Sequence, residues 1–172
     1  MKKALIAVHS PKASKELSKL FKELVYVPES IVLLHVEQLE GNSMMTAMLS
    51  DSEISTLKES LAGTDYKDKM DRQAEKLLKF FKKKLEHCGL TNIKTVIKEG
   101  HPSEEILKLA EDEEVDLIIV GCSGKSRIEK LVTGCASNEV EKKAKMPVLI
   151  MKGSGCGKHA YMWSGKEAYA IR

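Results

Sequence analysis

The sequence "GCSGKSRIEKLVTGCASN", residues 121–138, gives the clearest indication of the fold. It directly follows an apolar run, "VDLIIV", and leads into a segment whose apolar residues have helical spacing. Gly121 and Gly124 lie three residues apart, and Gly134 stands immediately before the predicted helix. Glycine lets the backbone turn sharply or lets another group approach closely. The pattern is therefore typical of a strand–loop–helix unit that contains either a tight turn or a bound ligand.

The start of the predicted helix has the chemistry to bind an anion. Its first four amide N–H groups, beginning at Cys135, have no partners within the helix and point outward at the positive end of its dipole. Phosphate fits that position, and the hydroxyl of Ser137 would add a contact. The glycine spacing alone is equally consistent with a phosphate site and with a plain tight turn.

Strand and helix patterns alternate along the whole chain, which favours a mostly parallel sheet with helices on both faces. The predicted strands are residues 3–8, 30–36, 93–98, 115–120 and 148–151, and the predicted helices are residues 14–24, 66–87, a segment beginning at residue 102, and 135–145. Ligands of such sheets bind beyond the carboxyl ends of the strands, where the strand order reverses. We therefore expect the loops after the first and fourth strands, "HSPKAS" and "GCSGKS", to lie side by side.

Composition sets broad limits on the function. The 28 Lys and Arg residues nearly balance 25 Asp and Glu residues, so we expect no nucleic-acid partner. No apolar run approaches the roughly 20 residues that cross a bilayer, and the one after "MKK" is shorter than a secretory signal. The four cysteines form no CxxC pair and are interpreted as reduced thiols. The expectation is a single-domain cytoplasmic protein.

Several segments together resemble the universal stress protein family, in its ATP-binding branch. They are the G-x2-G-x9-G pattern starting at Gly121, the opening "KALIAVHSPKASKEL", the phrase "EGHPSEEILKLAEDEEVDLIIVG" and the close "NEVEKKAKMPVLIM". The resemblance spans residues 2–152. It implies a flavodoxin-like or Rossmann-like α/β fold of the adenine nucleotide alpha hydrolase type. That fold is a three-layer sandwich with five parallel strands in the order 3-2-1-4-5, usually in a homodimer.

The resemblance also implies a nucleotide site and its residues. These are Val8, His9, Val36, Gly121, Gly124, Lys125, Gly134, Cys135, Ala136 and Ser137. In this arrangement the first two glycines line the ribose and phosphates, and the start of the last helix holds the phosphates. The backbone of Val36 reads the adenine, and Val8 and His9 close over the nucleoside. The implied cofactor is ATP, with or without Mg²⁺, and the site residues include no dedicated metal ligand.

Two residues depart from the family pattern. Cys135 occupies a position where the family ordinarily has Ser or Thr, and a thiol is a poor hydrogen-bond donor and a poor Mg²⁺ ligand. His9 occupies a position that is commonly Asp. Two functions therefore stay open: a homodimeric regulatory protein that binds ATP, and a nucleotide-free homodimer that acts as an interaction or scaffold protein.

Catalysis is not expected from these residues. His9 near a phosphate loop suggests a general base, but no nucleophile or orienting carboxylate accompanies it in the pattern, so we interpret it as a neutral ring that stacks or hydrogen-bonds at the pocket. Slow ATP hydrolysis stays open if Mg²⁺ binds. A flavin enzyme on the same fold is disfavoured, because the phosphate loop follows the fourth strand and not the first.

Four further residues are interpreted structurally. We expect His35 to be a satisfied core histidine and Asp116 to be an acceptor at the end of the sheet opposite the cleft. Cys122 and Cys135 lie near the predicted pocket. We interpret them as small residues tolerated in a tight loop, with a redox-sensing role as the alternative.

The chain divides at residue 152. Residues 1–152 are predicted to form the universal stress protein domain, and residues 153–172, which are rich in glycine and lack a period, to form a flexible C-terminal extension. The last strand of the domain, Val148 to Met151, would then leave its edge open. We therefore expect a homodimer formed through that strand.

Overall fold

A computed structural model describes residues 2–11, 14–23, 27–37, 63–122, 136–152 and 161–164, together with residues 50, 52, 53, 56, 59 and 60. The strands are β1 (Lys3–Ala7), β2 (Ser30–Glu37), β3 (Ile93–Glu99), β4 (Leu117–Cys122), β5 (Val148–Lys152) and β6 (Tyr161–Ser164). The helices are α1 (Ser14–Glu23), α2 (Asp65–Glu86), α3 (Pro102–Asp112) and α4 (Ala136–Lys143). Among the described helices, none combines the length and the apolar character needed to cross a membrane.

The strands form one sheet in the order β3-β2-β1-β4-β5-β6. The first five are parallel, so the predicted five-stranded arrangement 3-2-1-4-5 is confirmed. The apolar strand β4 lies between β1 and β5, and the half-polar strand β3 lies at an edge, as their sequence patterns predicted. β6 was not predicted, and it pairs antiparallel with β5.

Apolar side chains fill both faces of the sheet. On one face α1 and α2 contribute Leu17, Leu20, Phe21, Leu78, Phe81 and Leu85. On the other face α3 and α4 contribute Ile106, Leu109, Ala110 and Val140. Fully burying one such large side chain stabilises the fold by about 1.5–3 kcal/mol. Successive side chains of β1, β2 and β4 point to opposite faces of the sheet. The sheet therefore packs against helices on both sides, which gives three layers.

Local signals set the ends of the long helix α2. Thr64, in extended conformation, caps its start by accepting a hydrogen bond from the Lys67 amide at 3.4 Å. After its last residue the chain turns through Gly89, whose φ of +88° lies in the left-handed region that favours glycine. The predicted bounds, 66–87, differ from the observed Asp65–Glu86 by one residue at each end.

Strand β4 begins two residues later than the sequence predicted. The Val115 amide donates to the Ala110 carbonyl in the turn after α3, so Val115 is buried without joining the ladder. Asp116 instead accepts hydrogen bonds through Oδ2 from the amides of Lys2 and Lys3, at 2.6 and 2.9 Å. Its predicted role as a structural acceptor at the amino end of the sheet is confirmed.

The edge of β5 is not open as the sequence suggested. Residues Val148 to Met151 pair with Ser164 to Tyr161, so four residues of the predicted flexible extension form a strand. The expectation of a free β5 edge was therefore wrong, because the chain supplies its own antiparallel partner there. The rest of the predicted extension, residues 153–160 and 165–172, lies outside the described residues.

Candidate functional site

The cleft predicted from the fold lies between the carboxyl ends of β1 and β4. These strands pair directly, and their last registered pair is Ala7 with Val120. Val8 and Gly121 are therefore the next residues along, side by side at that end of the sheet. From β1 the chain continues to β2 on one side, whereas β4 lies on the other side, so the strand order reverses here. The strand ends from which the two predicted loops leave are therefore adjacent, whereas residues 12–13 and 123–126 of those loops lie outside the described residues.

Val8 is held on both sides of its backbone. Its amide donates to the Leu34 carbonyl at 2.9 Å, and its carbonyl lies 2.8 Å from Nδ1 of His35. A carbonyl accepts only, so Nδ1 of His35 carries the hydrogen. His35 is thus a half-buried, satisfied histidine, as its position in an apolar strand predicted. The contact fixes the backbone at the point where β1 enters the cleft.

His9 is exposed and packs its ring beside His35. The ring centroids are 6.3 Å apart with an interplanar angle of 21°, which is a stacked arrangement. The ring of His9 thus stacks on a neighbouring histidine, and its expected stacking or hydrogen bonding at the pocket stays a prediction. The two rings therefore lie together beyond the end of β1.

The other described residues of the predicted site lie at the same end of the sheet. Val36 is buried near the end of β2, and Gly121 is half-buried in β4 opposite Met151. Ala136 begins α4, and Ser137 is 4% exposed in its first turn. The remaining predicted residues lie outside the described ranges: Gly124, Lys125, Gly134 and Cys135.

A buried hydroxyl links α4 to α3. Ser103 is fully buried, its Oγ donates to Oε2 of Glu139 at 2.6 Å, and Nδ1 of His101 lies 2.8 Å from the same Oγ. Since the serine hydrogen is used by Glu139, Nδ1 of His101 must be the donor. This is not a nucleophilic serine, because its proton is directed to the carboxylate and its oxygen is inaccessible. The link instead fixes the first turn of α4 against the start of α3.

A second polar group, which we call the Lys67 cluster, consists of Lys67, Glu37, Asp71 and Glu99. Nζ of Lys67 lies 2.6 Å from Oε2 of Glu37 and 2.8 Å from Oδ1 of Asp71, and it also contacts Oε1 of Glu99. Partial burial tends to lower the pKa of Lys67, but hydrogen bonds to Asp71, Glu37 and Glu99 outweigh it and raise that pKa above its ordinary value.

Sequence reasoning missed both polar networks. For the Lys67 cluster a signal existed: Lys67 and Asp71 have i,i+4 spacing on a predicted helix, and Glu37 and Glu99 end strands that turn out to be neighbours in register. For the Ser103 link the only signal was a serine in the first turn of a helix, which ordinarily indicates a cap. Only the packing of α3 against α4 gives it a different role.

An open parallel sheet with helices on both faces, and with a cleft where the strand order reverses, defines the flavodoxin-like and Rossmann-like class of α/β proteins. Within that class the chain belongs to the universal stress protein family, whose sequence profile matches residues 1–152. The universal stress protein MJ0577 of Methanocaldococcus jannaschii is 34% identical over 137 residues, which are 78% of this chain and 82% of that protein.

Solved structures show the same fold. The structure of MJ0577 has a TM-score of 0.64 at 31% identity and covers 89% of this chain and 96% of that one. A universal stress protein from Archaeoglobus fulgidus has a TM-score of 0.61 at 26% identity over 88% of this chain and 50% of that one. An Arabidopsis thaliana family member solved with AMP bound has a TM-score of 0.54 at 23% identity, over 88% and 91% of the two chains.

Proposed function

We propose that this universal stress protein binds an adenine nucleotide, with ATP as the ligand, in the cleft between the carboxyl ends of β1 and β4. The observation that carries the proposal is the adjacency of Val8 and Gly121 at the reversal of strand order. The nucleoside would lie against the backbones of Val8, Val36 and Gly121. Beside them the exposed His9 ring offers a stacking surface.

The phosphates would lie at the start of α4. The first-turn amides of this helix, from Ala136 onward, carry the positive end of its dipole. Glu139 introduces a negative charge in the same turn, but its Oε2 accepts the Ser103 hydrogen and is thereby directed toward α3. The start of α4 therefore fits an anionic ligand. Bound Mg²⁺ would neutralise phosphate charge, with its ligands coming mainly from the phosphates themselves and water.

The likeness to the AMP-bound Arabidopsis thaliana protein adds limited support. At 23% identity this likeness supports the fold alone. It indicates only that a protein of this fold accommodates an adenine nucleotide. The more similar MJ0577 supports family membership. The choice of ATP therefore rests on the G-x2-G-x9-G pattern at Gly121 and on the start of α4.

We further propose that the protein is a regulatory binder and not an enzyme. Among the described side chains near the cleft, His35 uses Nδ1 to hold the Val8 carbonyl, and Ser103 uses its proton to bind Glu139. Neither is arranged as a nucleophile with its base. We also propose a cytoplasmic location, because the four cysteines form no CxxC pair and are interpreted as reduced thiols.

Action as a homodimer is also proposed, through the edge of the sheet on the side of β5 and β6. While β6 covers β5, the outer edge of β6 is the terminal edge on that side of the described sheet. Unpaired edge N–H and C=O groups favour pairing with another strand. In this proposal a second copy pairs with the edge of β5 once β6 is released.

Titration calorimetry with ATP and MgCl₂ tests the proposed function, after carried-over nucleotide has been measured and removed. We expect saturable binding by the native chain and at least about tenfold weaker binding by Gly121→Val, whose new side chain would project at the cleft. Thr95→Val, on the exposed edge strand β3, is the matched control and should bind as the native chain does. No binding and no carried-over nucleotide would favour the nucleotide-free scaffold function.

Ala136→Pro tests the phosphate contacts separately from the contacts with the nucleoside. Proline is tolerated at the first position of a helix but has no N–H, so the helix persists while one phosphate donor is lost. We expect ATP binding to weaken severalfold and adenosine binding to stay unchanged. Equal weakening of both ligands would argue against phosphates at the start of α4.

A further inference from the structure

The Lys67 cluster carries an unbalanced charge. Three carboxylates, on Glu37, Asp71 and Glu99, surround a single ammonium group. If all are ionised, the cluster has a net charge of about −2, and like charges at these distances repel one another. It lies at the carboxyl edge of the sheet on the β2–β3 side, where Glu37 and Glu99 face each other in register.

One buried oxygen in the cluster has no partner in the part of the chain that the structure describes. The Glu37 side chain is only 2% exposed, and its Oε2 is paired with Lys67. Its Oε1 is buried and lacks a hydrogen-bond partner among the described residues. A buried acceptor without a partner destabilises the fold, and more so when the group is charged. This independent observation indicates that Lys67 only partly satisfies the carboxylate, which calls for a further ligand.

The three carboxylates have the geometry of a calcium site. Their ligand oxygens all lie within 4.8 Å of one another. Ca²⁺ binds oxygens at 2.3–2.6 Å, so two oxygens on opposite sides of it are up to about 5 Å apart, whereas Mg²⁺ limits that separation to about 4 Å. All oxygen–oxygen separations in the cluster, up to 4.8 Å, therefore fit Ca²⁺, whereas only separations below about 4 Å fit Mg²⁺. A Ca²⁺ ion would lie close to the position that Nζ of Lys67 now occupies, 2.6 and 2.8 Å from two of the oxygens.

We propose that Glu37, Asp71 and Glu99 form a calcium site in which Ca²⁺ exchanges with the ammonium group of Lys67. Bidentate binding by Glu37, which is common for Ca²⁺, uses both carboxylate oxygens and so satisfies Oε1. The exchange replaces one positive charge by two and halves the excess negative charge of the cluster. Lys67, half-buried in the first turn of α2, then turns to solvent.

Titration calorimetry with CaCl₂ on the nucleotide-free protein, stripped of metal, tests the proposal. We expect one saturable site per chain, at least about tenfold weaker in Asp71→Asn and in Glu99→Gln. Both side chains are more than 40% exposed, so these variants are expected to fold. Glu75→Gln is the control: it lies on α2 and pairs with Lys79, outside the cluster, and should bind as the native chain does. MgCl₂ should bind at least tenfold more weakly than CaCl₂.

Lys67→Met tests the exchange itself. Removing the competing ammonium should tighten Ca²⁺ binding by at least tenfold, and CaCl₂ should raise the melting temperature of this variant more than that of the native chain. The proposal is overturned if the native chain shows no binding, if Asp71→Asn and Glu99→Gln bind normally, or if Glu75→Gln loses binding to the same extent. It is also overturned if a folded Lys67→Met binds no more tightly than the native chain.

Discussion

Nζ of Lys67 lies 2.6 Å from Oε2 of Glu37, and this contact joins the first turn of α2 to the carboxyl end of β2. The carboxylate is almost fully buried, whereas the lysine side chain is one-fifth exposed. Breaking such a pair leaves a buried charge uncompensated, which is more damaging than the loss of a surface ion pair.

Lys67→Met should therefore lower the free energy of unfolding by roughly 3 kcal/mol in the presence of a calcium chelator. The matched control is Lys79→Met on the same helix, where the lysine pairs with Glu75 at 3.4 Å and both side chains are mostly exposed. That change should alter stability by less than about 0.5 kcal/mol. Urea unfolding measures both, and equal effects would contradict the assigned importance of the buried pair.

Ser103→Ala should destabilise the protein by about 1–3 kcal/mol, because it leaves the Glu139 carboxylate and the His101 ring without their shared partner. Ser18→Ala is the control, since among the described residues its hydroxyl bonds back to the Ser14 carbonyl within α1. Its effect should stay within about 0.5 kcal/mol. Denaturant titration measures both changes. If Ser103→Ala leaves the free energy of unfolding unchanged, α4 is held by other contacts.

Asp116 gives the stability a defined pH dependence. The hydrogen bond from the Lys3 amide, followed by that from the Lys2 amide, holds the pKa of its carboxyl below the ordinary value in spite of some desolvation. Its stabilising contribution is therefore fully present above the unfolded pKa of about 4 and is lost as the pH falls through the lower folded pKa.

Asp116→Asn cannot titrate, so it should be less stable than the native chain at pH 7, by about 1 kcal/mol, because the exposed carboxylate is well solvated. The difference should shrink between pH 4 and pH 2. Urea unfolding at several pH values measures it. A difference that stays constant down to pH 2 would show that the charge of Asp116 does not contribute.

The occupied edge of β5 predicts how truncation changes assembly. Ending the chain after Lys152 removes β6 and exposes the edge of Val148–Lys152, so the fraction of dimer at a given concentration should rise. The full-length variant Met162→Pro, which disrupts pairing opposite Ile150, should behave likewise, and Met162→Ala should resemble the native chain. Size-exclusion chromatography with light scattering measures the mass. Unchanged masses for both disrupted forms would refute this role of β6.

The sequence predicted the elements whose own pattern is strong. "VDLIIV" is apolar on both faces, and β4 is indeed an inner strand, although Val115 and Asp116 lie before its first residue. β6 has only four residues within a glycine-rich segment, and its pairing depends on the edge that β5 offers. No local pattern encodes such a partner.

The candidate site was predictable to the extent that topology determines it. The rule for parallel sheets brought Val8 and Gly121 together correctly. The Glu37–Lys67 contact joins residues that are 30 positions apart, and it depends on how α2 docks on the sheet. Side-chain networks of this kind follow from tertiary packing, and spacing along the chain does not reveal them.

The most direct test of the proposed nucleotide site is a ¹⁵N–¹H correlation spectrum recorded during titration with ATP and, separately, with adenosine. With ATP, the amides of Gly121, Ala136 and Ser137 should shift and saturate together, because the ligand spans the end of β4 and the start of α4. Adenosine should shift Gly121 and leave the helix amides in place. Saturable ATP binding that leaves all three amides unmoved would contradict the proposed cleft, and so would the absence of any ATP-dependent shift.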